Sequence, residues 1–327
     1  MHIDITALQK SEADYLANTP NTIYAPGQSI VTTCFDSGMT STWVMLSELK
    51  RLGCDLPVEI FYKDDELTDR QKELLVSVMP GKISIRKIVG SPKVFTSKYG
   101  HKHGWACKIY ALYESRYAEN LWIDNDNYPI SDPTILFSDV EYVEKGSLFW
   151  RDMLSVDSAN QYADTSPMWQ IFNIPINDAE PFEAGQLIIN KMKCPVEFKL
   201  LKYYADNCDI YYQFGGDKET FKFAWMRAAY MNGAVIFRVN YHSGTNIPFG
   251  FMPYGPFSKG VQNQQHKWGG GSVMVQRDRK GKEIFNHRNI NKINSNMNVF
   301  NSDITNEELY HAYAGNFKRI AGVSDGR

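Results

Sequence analysis

Four short apolar runs separated by amphipathic stretches fill residues 29–124, and this alternation constrains the fold more than any single residue does. "SIVTTCF" (29–35), "PVEIFY" (57–62), "KISIRKI" (82–88) and "NLWID" (120–124) have the length and the β-branched or aromatic content of strands. Between them, "MTSTWVMLSELKRLG" places Met39, Trp43, Leu46 and Leu49 on one helical face before Gly53. "LTDRQKELLVSVMPG" starts at the N-cap candidate Thr68 and stops at Pro-Gly, and "GWACKIYALYESRY" (104–117) forms a third helix. Successive strands joined through helices need crossover connections, so the expected class is α/β, with one Rossmann-like, mostly parallel sheet flanked by helices.

Beyond residue 140 the pattern loosens. Strands are expected at 146–150 and 185–190 and a short helix at 166–172. Two longer helices follow, one with Val196, Leu200, Leu201 and Tyr204 on a face, the other with Phe221, Trp225 and Ala228. The tail, through 233–239, 271–278 and 283–285, reads as strand and loop. No internal repeat or low-complexity linker interrupts the chain. The expectation is therefore an N-terminal arm (1–28) and a single domain (29–327) made of halves 29–140 and 141–327.

Charge and composition remove several classes of function. Thirty-five basic against 37 acidic residues leave a formal charge of −2, and no Lys/Arg block resembles a track for a phosphate backbone, so nucleic acid is not an expected partner. The five cysteines are widely spaced and contain no C-x-x-C, which indicates neither a disulfide framework nor a structural zinc site. No apolar run approaches the roughly 18 residues of a transmembrane helix, and the start shows no export signal, so a cytoplasmic setting is expected. The chain has neither G-x-G-x-x-G nor a Walker lysine loop, which disfavours a Rossmann oxidoreductase or a kinase.

What remains is the abrupt end of the last apolar run, in "ENLWIDNDNYPISDPTILF" (119–137). In open α/β sheets ligands bind beyond the carboxyl ends of strands, where Asp124 and Asp126 stand. Spaced i, i+2 in extended geometry, their carboxylates leave the same face and can converge on a hard divalent cation. Taken alone, D-N-D-N before a proline reads equally well as a hydrophilic Asx turn.

The surrounding residues add a resemblance. "GWACKIYALYESRYAENLWIDNDNYPISDPTILF" resembles the block of the fungal-type α-mannosyltransferases that runs G-W-A-L-K, a strand ending D-A-D-N, then P, D-P and a Leu-Phe end. "LPVEIFYKDDEL" precedes it. "LFWRD", "FEAGQLIINK" (where the family has E-S-G-Q), "GDKETFKFAW" (G-D-K-D-T-F) and "FNHRNINK" follow in order, so the resemblance spans about residues 29 to 292. It implies a GT-A fold with an elaborated C-terminal, acceptor-side region. It also implies a metal-dependent retaining glycosyltransferase that uses Mn2+ or Mg2+, a nucleotide-sugar donor (usually GDP-mannose) and a glycan or glycoconjugate acceptor. The alternatives are a UDP-hexose donor, a non-catalytic metal- or sugar-binding protein with a degenerate site, and a metal-dependent hydrolase or nucleotidyltransferase.

The resemblance also suggests roles residue by residue. Asp126 would ligate the metal directly, and Asp124 the metal or the donor ribose. His287 stands where GT-A enzymes add a histidine ligand, with His266 as the alternative; an imidazole suits Mn2+ better than Mg2+. Lys108 would point toward the donor, Lys292 or Arg288 would neutralise the diphosphate, and Asp36 with Ser37 and Gly38 would form the loop around base and ribose. That loop departs from the family's glycine-rich form, which leaves the base open. Glu183 and Gln186 flank Gly185, whose bare backbone could approach a sugar ring. Retention needs either a nucleophile, for which Glu183 is the candidate, or same-face attack, with Gln186 stabilising the sugar cation. Asp217 would hold a sugar hydroxyl or simply cap a helix. Trp169, Tyr211, Tyr212 and Trp268 are candidate sugar platforms, and "HKH" (101–103) reads as a loop. Each role has a plain rival: Lys108 as a surface lysine, the histidines and Lys292 as solvated residues.

Overall fold

A computed structural model describes residues 3–153, 162–177, 180–234, 246–253, 257–259, 273–289, 292–293 and 304–322. The expected polar arm contains a helix, α1 (Ile5–Asn18), whose first turn is capped by the Asp4 carboxylate accepting from the Ala7 N–H at 3.0 Å. Leu8 and Glu12 of this helix are buried, and Ile5, Leu8, Tyr15 and Leu16 form a short apolar face that packs against the core. An ion pair adds to that packing: Glu12, 1% exposed, pairs at 2.8 Å with Arg227.

The alternation read from the sequence then appears in order. β1 (Ala25–Thr33), α2 (Met39–Arg51), β2 (Val58–Tyr62), α3 (Asp69–Val78) and β3 (Ile83–Lys87) are followed by a small hairpin of β4 (Phe95–Thr96) and β5 (Lys102–His103). α4 (Ala106–Glu114) leads into β6 (Tyr117–Ile123). Thr68 does cap α3, in a reciprocal capping box with Gln71. After β7 (Asn127–Pro129), α5 (Val140–Lys145), β8 (Ser147–Arg151) and α6 (Met168–Ile171), the long strand β9 (Phe182–Asn190) returns to the centre of the molecule. α7 (Pro195–Asp206), α8 (Cys208–Tyr211) and α9 (Lys218–Met231) follow, then β10 (Gly250–Phe251), β11 (Phe257–Lys259), β12 (Val273–Arg277), β13 (Glu283–His287) and α10 (Glu307–Ala321).

Seven strands form the main sheet in the order β10-β8-β9-β6-β1-β2-β3. β9 alone runs against its neighbours β6 and β8, and every other pairing is parallel. The sheet is thus mostly parallel, as expected. Trp122 and Trp150, both essentially inaccessible, lie on its strands β6 and β8. One face of the sheet packs against α4, α7 and α9, where Phe149 meets Trp225 edge-on at 5.0 Å. The other packs against α2, α3 and α10.

A second sheet, in the order β11-β12-β13-β7, sits at the strand ends. It is antiparallel, and it joins the residues just after Asp126 to the C-terminal part of the chain. Of the expected tail, 271–278 and 283–285 hold β12 and β13, 235–239 lie outside the described residues, and beyond the tail the chain adds the helix α10. Tyr310, Ala314 and Phe317 are its buried face, and Phe317 meets Trp43 of α2 with ring centres 5.5 Å apart. Among the described residues no helix is long and apolar enough to cross a membrane.

Because a buried ion pair ties α1 to α9, Glu12→Ala leaves the Arg227 guanidinium without its carboxylate. The expected loss is about 3 kcal/mol in urea unfolding, with premature proteolysis in the first twenty or so residues. An unchanged unfolding midpoint would show that α1 is held by other contacts.

Candidate active site

β6 ends at Ile123, and the next residues leave the strand rather than extend it. The Asn127 N–H donates to the Asp124 carbonyl at 2.9 Å, so Asp124, Asn125 and Asp126 form a tight turn, tied to β9 by the Asp124 N–H donating to Gly185 O at 2.7 Å. The expectation that extended i, i+2 geometry aligns the two carboxylates is therefore replaced. The turn brings them together, and the polar-turn reading and the ligand reading describe one feature.

His287 arrives through sheet register. β13 pairs antiparallel with β7, setting His287 opposite Asn127, and the Arg288 N–H donates to Asp126 O at 2.9 Å. Its Nε2 lies 3.4 Å from Asp126 Oδ1 and its Nδ1 lies 2.7 Å from Glu183 Oε1. One ligand atom from each of Asp124, Asp126 and His287 falls within 4.8 Å of the others. Burial alone would push the His287 pKa down, but Glu183 and Asp126 on either side hold it well above its ordinary value. Asp126, despite its burial, is held well below the usual carboxylate range by His287 and by Lys292, whose ammonium contacts its Oδ2.

Glu183 is already fully engaged. Its Oε1 accepts from the Gly185 N–H at 2.6 Å and its Oε2 from Gln186 Nε2 at 2.6 Å, besides the contact to His287. Gln186, fully buried, accepts from Asn127 Nδ2 at 2.6 Å through its own Oε1. Both therefore orient the turn and the histidine. Gly185 has a reason different from the expected one: a Cβ there would stand 2.6 Å from Glu183 Oε1 and from the His287 ring.

Lys108 is no surface lysine. It is 8% exposed, and its Nζ donates to Ala184 O at 2.7 Å while lying 3.2 Å from Asp124 and 3.1 Å from Asp217. Burial opposes its charge, but these two carboxylates outweigh burial and raise its pKa. Asp217 occupies the N-cap position of α9 without a side-chain capping bond, so its carboxylate serves Lys108 instead of the helix. Asp124 also accepts from Trp122 Nε1 at 2.7 Å, and burial raises its pKa against the pull of Lys108.

These groups border a cavity of about 400 Å³ beyond the ends of β1, β2 and β6. Its lining includes Lys108, Asp124, Asn125, Asp126 and Lys292, with Phe35, Tyr62 and Ile88 at the β1–β3 end. His103 and Trp105, stacked at 3.9 Å, also face it, so "HKH" contributes half of the β4–β5 hairpin where a plain loop was expected. Asp36 is not in this lining; its carboxylate accepts from Gln71 Nε2 at 2.5 Å. Arg288 is fully buried and ion-paired with Glu307 of α10, which removes it as a diphosphate ligand. Trp169, Tyr211 and Tyr212 are core residues, at most 3% exposed, and are not sugar platforms. His266 and Trp268 lie outside the described residues.

Residues 27–179 match the family model described as "Mannosyltransferase putative". Over 287 residues the chain is 25% identical to the α-1,2-mannosyltransferase MNN2 of Saccharomyces cerevisiae, covering 74% of this chain and 47% of that protein. It is 26% identical over 277 residues to the α-1,2-mannosyltransferase MNN24 of Candida albicans, covering 67% of this chain and 37% of the relative. The chain is thus similar in sequence to fungal α-1,2-mannosyltransferases. It spans about half or less of the length of these relatives. The crystal structure of the galactosyltransferase LgtC with donor and acceptor sugar analogues superposes with a TM-score of 0.51 at 13% identity, over 88% of this chain and 95% of LgtC. That likeness fixes the fold as GT-A.

Lys108 separates two carboxylates, so Lys108→Met is expected to cost about 3 kcal/mol at neutral pH. Adding Asp217→Asn should recover a good part of it in a double-mutant cycle. A buried carboxyl whose pKa is raised loses stability as pH climbs through its titration range, so the Lys108→Met penalty should be smaller near about pH 4 than near about pH 7. Urea unfolding at both pH values checks it. Additive losses independent of pH would mean that Lys108 acts through packing alone.

Proposed function

We propose that the chain is a metal-dependent retaining glycosyltransferase that moves mannose from GDP-mannose onto a glycan acceptor. The observation that carries this reading is the convergence of Asp124, Asp126 and His287 at the strand ends, beside Lys108 and Lys292. The donor set fits Mn2+: two hard carboxylate oxygens and an imidazole, with the second imidazole nitrogen fixed by Glu183 as metal-bound histidines generally require. Bound there, the cation would offset the negative charge that accumulates on the departing diphosphate.

The chain's own residues supply the rest. Lys292, with a side chain 53% exposed, is long enough to turn from Asp126 toward a phosphate oxygen, adding positive charge where charge develops. Lys108, whose N–H groups go to Ala184 O, Asp124 and Asp217, holds Asp124 in place for the cation. Retention favours the same-face route. Glu183 is committed to Gly185, Gln186 and His287, and attack on the sugar would require it to abandon all three. In the same-face route the departing phosphate oxygen takes the proton of the acceptor hydroxyl, and no protein nucleophile is needed.

A panel of GDP-mannose, GDP-fucose, UDP-glucose, UDP-galactose and UDP-N-acetylglucosamine, with Mn2+, tests this by nucleoside diphosphate release. The expected result is Mn2+-dependent release from GDP-mannose, reduced at least about a thousandfold in Asp126→Ala. Release from a UDP-hexose alone would replace the donor, and pyrophosphate or monophosphate release would replace the reaction class. A second outcome follows from Gly185. Gly185→Ala drives a methyl into the Glu183–His287 contact, so Mn2+ affinity by calorimetry should fall about 10- to 100-fold. Unaltered Mn2+ binding would exclude His287 as a ligand.

A further inference from the structure

Asn125 is the one member of the D-N-D turn without an evident task. Asp124 and Asp126 hold Lys108 and Lys292, and Asn127 donates to Gly185 O and Gln186. Asn125 is 8% exposed and lines the cavity, yet its buried Nδ2 has no hydrogen-bond partner among the described residues. Folding gains nothing from an unpaired buried amide, and an explanation outside folding is called for.

The neighbouring backbone makes room for that amide. A Cβ on Gly38 would stand 2.4 Å from Asn125 Nδ2. Gly38 has φ −93°, a conformation open to any residue, so it is the amide and not the backbone that calls for glycine here. The same hypothetical Cβ lies 3.2 Å from the Phe35 ring, which places the carboxamide beside the part of the cavity that Phe35, Tyr62 and Ile88 line together with Lys63 and Glu66. Asp124 and Asp126, which flank it in the turn, and Lys108 line the same cavity. A nucleoside diphosphate is itself ordered base, ribose, diphosphate. With the base against the Phe35 and Tyr62 rings and the diphosphate at Asp126 and Lys292, the ribose falls at Asn125.

We propose that the Asn125 carboxamide hydrogen-bonds a ribose hydroxyl of the nucleoside diphosphate and makes the site selective for ribonucleotides. This rests on the nucleotide-sugar reading above. A hydroxyl both donates and accepts, as does a carboxamide, so one ribose hydroxyl can engage Nδ2 without leaving a charge unpaired. The fungal-type pattern, D-A-D-N, has alanine at this place; the contact is a property of this chain.

The test is calorimetric binding, with Mn2+ present, of GDP and UDP and of the 2′-deoxy and 3′-deoxy forms of whichever binds. Wild type should lose about tenfold in affinity for one deoxy form. Asn125→Ala should lose about tenfold for the parent nucleotide yet bind that deoxy form within about twofold of wild type, abolishing the discrimination. Gly38→Ala, which displaces the amide, should reproduce this pattern. The thermal midpoint of ligand-free Asn125→Ala should not fall, as it would for a structural asparagine. Equal losses for parent and deoxy forms, or no loss, overturn the proposal. A wild-type protein that binds neither GDP nor UDP overturns the nucleotide-sugar reading, and this one with it, so the two failures differ in which protein fails.

Discussion

Four carboxylates crowd one edge of the sheet with little access to water, and the site exists because cations lie between them. Lys108 stands between Asp124 and Asp217, and His287 between Asp126 and Glu183, with Lys292 on the outer oxygen of Asp126. Such charges tolerate burial only when each is paired at hydrogen-bond range. The pairing also dictates the fold around it. α4 brings Lys108, β9 brings Glu183, α9 brings Asp217 and β13 brings His287, so none of these elements can shift without exposing an uncompensated charge.

The small antiparallel sheet makes that possible. Its strand β7 begins immediately after Asp126, and β13 pairs with it in a register that leaves His287 beside Asn127. A one-residue slip would turn the imidazole to the opposite face and put Asn286 or Arg288 in its place. Arg288, paired with Glu307 of α10, opposes such a slip from the other side. The C-terminal helix therefore acts on the site through the position of β13 and needs no contact with a ligand.

The parts legible in the sequence were those written in local patterns. The strand–helix alternation, the capping box at Thr68 and the carboxylates after an apolar strand all follow from periodicity or composition over a few residues. What was not legible depends on partners far away. Glu183 resembles a nucleophile because its sequence neighbours say nothing of His287, which lies more than one hundred residues on and meets it only in three dimensions. Lys108 sits in a helical pattern that would equally suit a solvated lysine, and only Asp124 and Asp217 explain its burial. The Glu12–Arg227 pair that helps to hold α1 likewise joins residues far apart in the sequence. α10, in contrast, is written locally: Tyr310, Ala314 and Phe317 fall at helical spacing.

Two glycines mark the site more narrowly than the charged residues do. Most glycines with positive φ, such as Gly53, Gly81 and Gly281, have an ordinary turn explanation. Gly38 and Gly185 have no such φ, and both lie where a Cβ would strike a polar side chain of the site, at 2.4 Å from Asn125 and 2.6 Å from Glu183 and His287. At Gly185 the space is used by a contact already present, the Glu183–His287 pair. At Gly38 the space surrounds an amide that has no partner among the described residues. The same device thus serves two ends: one glycine lets the protein organise its own ligand set, and the other holds a hydrogen-bonding group ready for a molecule that arrives later.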